Sequence, residues 1–173
     1  KGELVEALPR SGTAILNADD ARVAAMAART DAAVLMYGEA RDADVRVTGI
    51  ALDDLARPSF TAVTPWGTVD VRLGVSGRHM ASNAGAAVAV AGTVGADLGA
   101  AAEALADVGL SPMRMQLVTA ASGGVIVNDC YNANPTSMRA AIDALVDLAA
   151  TRRVAVVGLM AEISNPEEEH LAI

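Results

Sequence analysis

The run Val125-Ile126-Val127-Asn128-Asp129-Cys130-Tyr131-Asn132-Ala133-Asn134-Pro135-Thr136-Ser137 passes from β-branched apolar residues to a polar loop and then to a helix start. Proline at a first helical turn, followed by Met138-Arg139-Ala140-Ala141-Ile142, completes a strand–loop–helix unit. In open α/β sheets the loop beyond a strand's carboxyl end is where ligands sit. Asp129 and Asn134 are placed to face a ligand. Pro135 and Ser137 open a helix whose free N–H groups favour anions. A capped helix behind a polar turn accounts for the same local chemistry.

Downstream, Met138, Ile142, Leu145, Val146 and Ala149 form an amphipathic stripe. Arg152-Arg153-Val154-Ala155-Val156-Val157-Gly158 reads as a buried strand parallel to Val125–Val127, with the helix as crossover. Glu167-Glu168-Glu169-His170 reads as the solvated first turn of a further helix, with no metal at His170.

Upstream, Lys1 to Leu8 has helical spacing and Thr13 to Leu16 is a short buried strand. Asp19 or Asp20 caps a helix over Ala21–Arg29. Ala33 to Tyr37 reads as a second buried strand and closes a β-α-β unit. Asp44–Ile50, Ser59–Thr64 and Thr68–Leu73 then alternate apolar and polar residues with period two, an antiparallel meander with one wet face. Pro65-Trp66-Gly67 turns the last two strands, with Trp66 as a partly exposed anchor. Gly77-Arg78-His79 leads into a helix over Ala81–Val94, where His79 and Asn83 share a face. A second helix from Leu98 to Val108 stops at Gly109-Leu110-Ser111-Pro112, a domain boundary. Met113 to Val118 follows, and Gly123-Gly124 turns back into Val125.

The chain has 173 residues, 53% hydrophobic and 2% aromatic, which suits helices packed closely on a sheet through small side chains. A net charge of −8 argues against a nucleic-acid backbone as partner, though not against a single nucleotide. Cys130 is the only cysteine, so internal disulfides are excluded. The easier reading is a reducing cytoplasm and a buried filler thiol. No apolar run is long enough to span a membrane. The first residues lack signal-peptide character and read as mid-helix, as if the chain began inside a larger protein.

Asp129-Cys130-Tyr131-Asn132-Ala133-Asn134-Pro135-Thr136-Ser137 resembles the opening of the C-terminal domain of the Mur ligases, ATP-dependent amide-forming enzymes of peptidoglycan synthesis. Lys1-Gly2-Glu3 followed by Asn17-Ala18-Asp19-Asp20 is similar to the family's central domain. Gly77-x-His79-x-x-x-Asn83-Ala84 is similar to a motif that usually reads Gly-x-His-Asn-x-x-Asn-Ala. Met80 stands where its first asparagine is expected, so any contact of that asparagine is lost here. Gly158-Leu159-Met160-Ala161-Glu162 resembles the family's Gly-x-Met-x-Glu. The Tyr-Asn-Ala-Asn-Pro match at Tyr131–Pro135 favours the branch that adds D-alanyl-D-alanine to UDP-N-acetylmuramoyl-tripeptide. Other Mur-type or folate-type ligases share the ATP residues, and a non-catalytic ligase-like binding module is a further alternative.

The resemblance implies an α/β fold. Residues 1–110 would be the later part of a mononucleotide-binding central domain with its antiparallel meander. Residues 111–173 would begin a Rossmann-like C-terminal domain. It implies ATP and magnesium as cofactors, with ATP bound by Asn83 (adenine), Arg114 (phosphates), Asp129 (ribose) and Tyr131. His79, Asn132, Asn134 and Ser137 would line the cleft. An amide offers adenine a donor and an acceptor in one plane, and a guanidinium offers phosphate a planar fork. The partners implied are ATP, UDP-N-acetylmuramoyl-tripeptide and D-alanyl-D-alanine, in a cytoplasmic protein that is monomeric when complete. No Gly-x-x-x-x-Gly-Lys-Ser/Thr loop occurs, and Gly92-Thr93-Val94-Gly95 lacks the lysine. That loop and the magnesium ligands are expected upstream of Lys1, so the chain alone is expected to be inactive and to bind adenine nucleotide weakly.

Overall fold

The structure is a computed structural model and describes residues 2–161 and 163–173. Lys1 and Glu162, which carry parts of two motifs, lie outside the described residues. A four-residue helix α1 (Glu3–Glu6) precedes strand β1 (Thr13–Asn17), whose Ala14 and Leu16 point inward. The next segment is helix α2 (Ala21–Ala24), which tightens into a 3-10 turn over Ala25–Arg29. Asp20 caps it, its carboxylate accepting from the N–H groups of Arg22 and Val23. Strand β2 (Ala33–Gly38) pairs parallel with β1 from Thr13↔Ala33 to Asn17↔Tyr37.

Period-two patterning emerges as strands β3 (Val45–Leu52), β4 (Pro58–Thr64) and β5 (Gly67–Arg72), an antiparallel meander. β3 joins β2 in parallel over only two pairs, Tyr37↔Val45 and Gly38↔Arg46. There the Asp44 carboxylate accepts from the Met36 N–H at 2.8 Å, doing the work of a ladder carbonyl. The sheet order is β1-β2-β3-β4-β5.

Helix α3 (Met80–Thr93) lies on this sheet through Ala81, Ala84, Gly85, Val88, Ala89 and Gly92, spaced three and four apart on one face. They meet Val45, Val47, Phe60, Ala62 and Val71, all nearly or fully buried. Burying each valine contributes roughly 1.5–3 kcal/mol. Helix α4 (Leu98–Ala106), capped by Asp97 on the Ala100 N–H, completes the layer.

Beyond it, strands β6 (Gln116–Thr119) and β7 (Val125–Asn128) form a separate antiparallel pair, followed by helices α5 (Pro135–Asp147) and α6 (Pro166–Leu171). Three expectations need correction here. Val154 to Val157 form no strand, and Val156 is 94% exposed. A strand apolar on both sides needs both faces covered, and the described residues supply α5 alone. Arg153 instead donates to the Leu145 and Leu148 carbonyls, finishing α5. Cys130 is exposed, because it lies past the last ladder pair, Gln116↔Asn128, where no described residue covers it. β2 is only partly buried.

Trp66, the only tryptophan, closes the β4–β5 hairpin and lies on α3. A β-carbon built on Gly92 would stand 2.1 Å from its Cε3. Gly92→Val is expected to displace the indole and destabilise the protein by about 1–3 kcal/mol, with red-shifted tryptophan emission. An unchanged emission maximum and melting temperature would contradict this packing.

Candidate functional site

The end of β7, the start of α3 and the segment before β6 meet at one corner. Asp129 follows β7 directly, and its Oδ1 accepts from the Met115 N–H at 2.9 Å. Among the described residues its Oδ2 has no hydrogen-bond partner. Two residues on, the Tyr131 N–H donates to the Met113 carbonyl at 3.1 Å. The Arg114 guanidinium lies 4.2 Å from the Tyr131 ring centroid, over its face. Tyr131 is 58% exposed and Arg114 is exposed, so both are open to a ligand.

The α3 side of the corner is set by Gly77, whose φ of +107 suits glycine. A β-carbon there would stand 2.6 Å from His79 Cε1 and 3.5 Å from Met115 Cε. The His79 ring and the buried Met115 side chain therefore share the space over Gly77. Burial pushes His79 below its ordinary value of 6.5, while the negative charge of Asp129 pulls it partly back up. Met115, which packs beside His79 over Gly77 and donates its N–H to Asp129, brings His79 and Asp129 to the same corner. Asn83 is exposed one turn further along α3, its Nδ2 3.6 Å from Met80 Sδ.

His79, Arg114, Asp129 and Tyr131 are thus gathered at one corner, with Asn83 a turn away on the same helix face as His79. Asn132 is exposed, its Oδ1 accepting from the Ala133 N–H at 2.8 Å. Asn134 and Ser137 are occupied with each other in a capping box at the head of α5, Asn134 Oδ1 accepting from the Ser137 N–H at 2.9 Å. Between α3 and α5 lies a cavity of about 430 Å³. One wall carries Arg78, His79 and Ser82, the other Asp143 and Asp147. Arg78 is held by Glu39 at 2.7 Å. A larger open groove of about 1620 Å³ runs along β7, α5 and residues 151–159.

Other groups support this corner without any local sequence signature. In the β3–β4 loop three successive carbonyls accept from separate parts of the chain. Asp54 takes the Ala149 N–H at 3.1 Å, Leu55 the Ser76 hydroxyl at 2.6 Å and Ala56 the Gly77 N–H at 2.8 Å. Ala56 is held at φ +54 to do so. Asp53 organises the loop, its Oδ1 accepting from the Leu55 and Arg57 N–H groups. Slight burial raises the Asp53 carboxyl, but the Arg57 side chain and these N–H groups outweigh it and hold the group below the usual range. Asp19, expected as a possible cap, instead accepts from the Glu39 and Ala40 N–H groups and locks the end of β2. Among the described residues no cluster of three His, Cys, Asp or Glu side chains could hold a metal ion, and no helix is long and apolar enough to cross a membrane.

The Mur ligase middle-domain model matches residues 1–91, and the model described as "Mur ligase, glutamate ligase domain" matches residues 113–172. The chain belongs to the Mur ligase family. Within it, the chain is 46% identical over 171 residues to a UDP-N-acetylmuramoyl-tripeptide–D-alanyl-D-alanine ligase of Mycobacterium tuberculosis, covering 95% of this chain and 34% of that protein. The corresponding Escherichia coli ligase is 36% identical, with 97% and 37% covered. The fold matches a crystal structure of MurF from Acinetobacter baumannii with a TM-score of 0.87 and 32% identity, over 98% of this chain and 37% of that one. The chain therefore spans about a third of the length of these relatives.

With a folded-state value below 6.5, His79 contributes stability above pH 6.5 that is lost as pH falls through that lowered value. In an NMR titration His79 is expected to protonate below 6.5, and lower still in Asp129→Asn, which keeps an acceptor for the Met115 N–H. A His79 titration unmoved by that substitution would contradict the corner described.

Proposed function

We propose that this chain is the ATP-closing portion of a ligase that joins D-alanyl-D-alanine to UDP-N-acetylmuramoyl-tripeptide. Residues 1–110 then belong to the central domain and residues 111–173 to the start of the C-terminal domain. The observation that carries the reading is the convergence of His79, Arg114, Asp129 and Tyr131 from separate parts of the chain on one exposed corner. ATP is the shared ligand of the two sides. Asn83 faces the adenine with its amide. Asp129 accepts from the ribose hydroxyls through Oδ2 while Oδ1 stays on Met115. Arg114 faces the phosphates, where a guanidinium neutralises charge through planar paired donors.

In the whole enzyme the terminal phosphoryl group passes from ATP to the tripeptide carboxylate, leaving ADP and an acyl phosphate. The amine of D-alanyl-D-alanine attacks that carbonyl, loses a proton, and the carbon–oxygen bond to phosphate breaks to leave the amide. The residues of this chain contribute positioning and charge neutralisation, and their closure over the nucleotide keeps water from the acyl phosphate. Magnesium, when bound, would neutralise charge on the phosphates that Arg114 faces. A cytoplasmic, monomeric protein fits substrates of this kind.

A second specificity has its own support, because a UDP-N-acetylmuramate–L-alanine ligase of Thermobifida fusca is 41% identical over 138 residues. A phosphate-release assay on the full-length protein, offering D-alanyl-D-alanine against single amino acids with the matching muramoyl substrates, separates the two. Turnover with D-alanyl-D-alanine is expected, and turnover only with a single amino acid would overturn the choice. Asn83→Ala is expected to raise KM for ATP about tenfold, the scale of one or two lost hydrogen bonds. The chain by itself should show no sub-micromolar ATP–magnesium binding by isothermal titration.

A further inference from the structure

Two non-glycine residues in the left-handed backbone region flank a single arginine: Met113 at φ +62 and Met115 at φ +45, with Arg114 between them. Such residues pay a steric penalty at the β-carbon and persist only where their surroundings over-determine them. The surroundings here do so. The Met113 N–H donates to Gln116 Oε1 at 3.2 Å, and the Met113 carbonyl accepts from the Tyr131 N–H at 3.1 Å. The Arg114 N–H donates to the Ser111 carbonyl at 3.3 Å, and the Met115 N–H to Asp129 Oδ1 at 2.9 Å. Met115 is 4% exposed, so its side chain anchors the segment from below.

The outcome of this strain is the direction of one side chain. An arginine on an exposed loop ordinarily samples many rotamers, and ordering it on binding weakens the ligand. Here the guanidinium already lies over the Tyr131 ring at 4.2 Å. Stacking on the ring face leaves the planar donor edge free. Tyr131 therefore acts on Arg114 twice, through its backbone N–H on the linker and through its ring on the guanidinium.

We propose that Tyr131 is a positioning residue that aims Arg114 before the phosphates arrive. This rests on the reading of Arg114 as the phosphate-facing residue and deepens it. Because the ring face makes the contact, phenylalanine is the conservative replacement for it.

The test uses the full-length protein, with kcat and KM for ATP–magnesium measured for Tyr131→Phe and Tyr131→Leu in the wild-type and Arg114→Ala backgrounds. Tyr131→Leu is expected to lose roughly threefold to tenfold in kcat/KM, and Tyr131→Phe to lose clearly less. In the Arg114→Ala background Tyr131→Leu should cost clearly less than it does in wild type. Met113→Gly supplies an independent arm that survives if Tyr131→Leu does not fold. It relieves the left-handed strain, so its melting temperature should hold or rise while KM for ATP rises. An impaired Arg114→Ala beside a silent Tyr131→Leu, losses that simply multiply, or Met113→Gly with unchanged KM would each overturn the proposal alone. Wild-type kinetics for Arg114→Ala would overturn the phosphate-facing reading beneath it.

Discussion

Helix α3 lies on the five-stranded sheet at a separation that only small side chains permit. A β-carbon on Gly85 would stand 2.6 Å from Val47 Cγ2, and Ala81, Val88 and Ala89 are fully buried beside it. Interiors packed this tightly transmit position rather than absorbing it. The helix axis is fixed against β2, β3 and β4, and so is its N-terminal end. Tyr37 on β2 reinforces that end through a hydrogen bond with Ser82; burial, more than the nearby Asp19 charge, raises its phenol above the ordinary value while Ser82 lowers it. His79 and Asn83 are presented from a platform that cannot slide.

The second half of the corner meets that platform through the buried Met115 side chain, which shares the space over Gly77 with His79, and through the Ala149 N–H on the Asp54 carbonyl. Asp129 grips the Met115 N–H, and the β3–β4 loop offers neighbouring carbonyls to Ser76, Gly77 and Ala149. The loop thus braces the chain just before His79 with two of its carbonyls and holds the far end of α5 with the third. Such ties are few compared with the α3 core, and low-stability ties are the ones from which domain movements are drawn. On the proposed reading the rigid helix faces the adenine and the more loosely tied segment faces the phosphates, which together make a site that can close.

The architecture was readable where side-chain periodicity encodes it. Period two marks β3, β4 and β5, the Asp19-Asp20 pair and Pro135 mark helix starts, and Trp66 is legible as a hairpin anchor. The same patterning misled at Val154–Val157, because an apolar run specifies a strand only when a second layer covers it. Cys130 was assigned to the interior from residue type alone, although its position past the β6–β7 ladder leaves it open. Asp19 and Asp20 are indistinguishable as caps until the end of β2 arrives to claim one of them. The supporting parts of the corner were not readable at all. Met113, Met115 and Ala56 adopt left-handed conformations imposed by distant partners, and nothing in their local sequence asks for them.

The central claim is that both sides of the corner close on one ATP molecule. Hydrogen–deuterium exchange on the full-length protein, with and without ATP–magnesium, tests it most directly. The account predicts slowed exchange both at the head of α3, around residues 80–86, and in residues 113–131. Protection confined to one of these segments, with the other unchanged at saturating ATP, would contradict it.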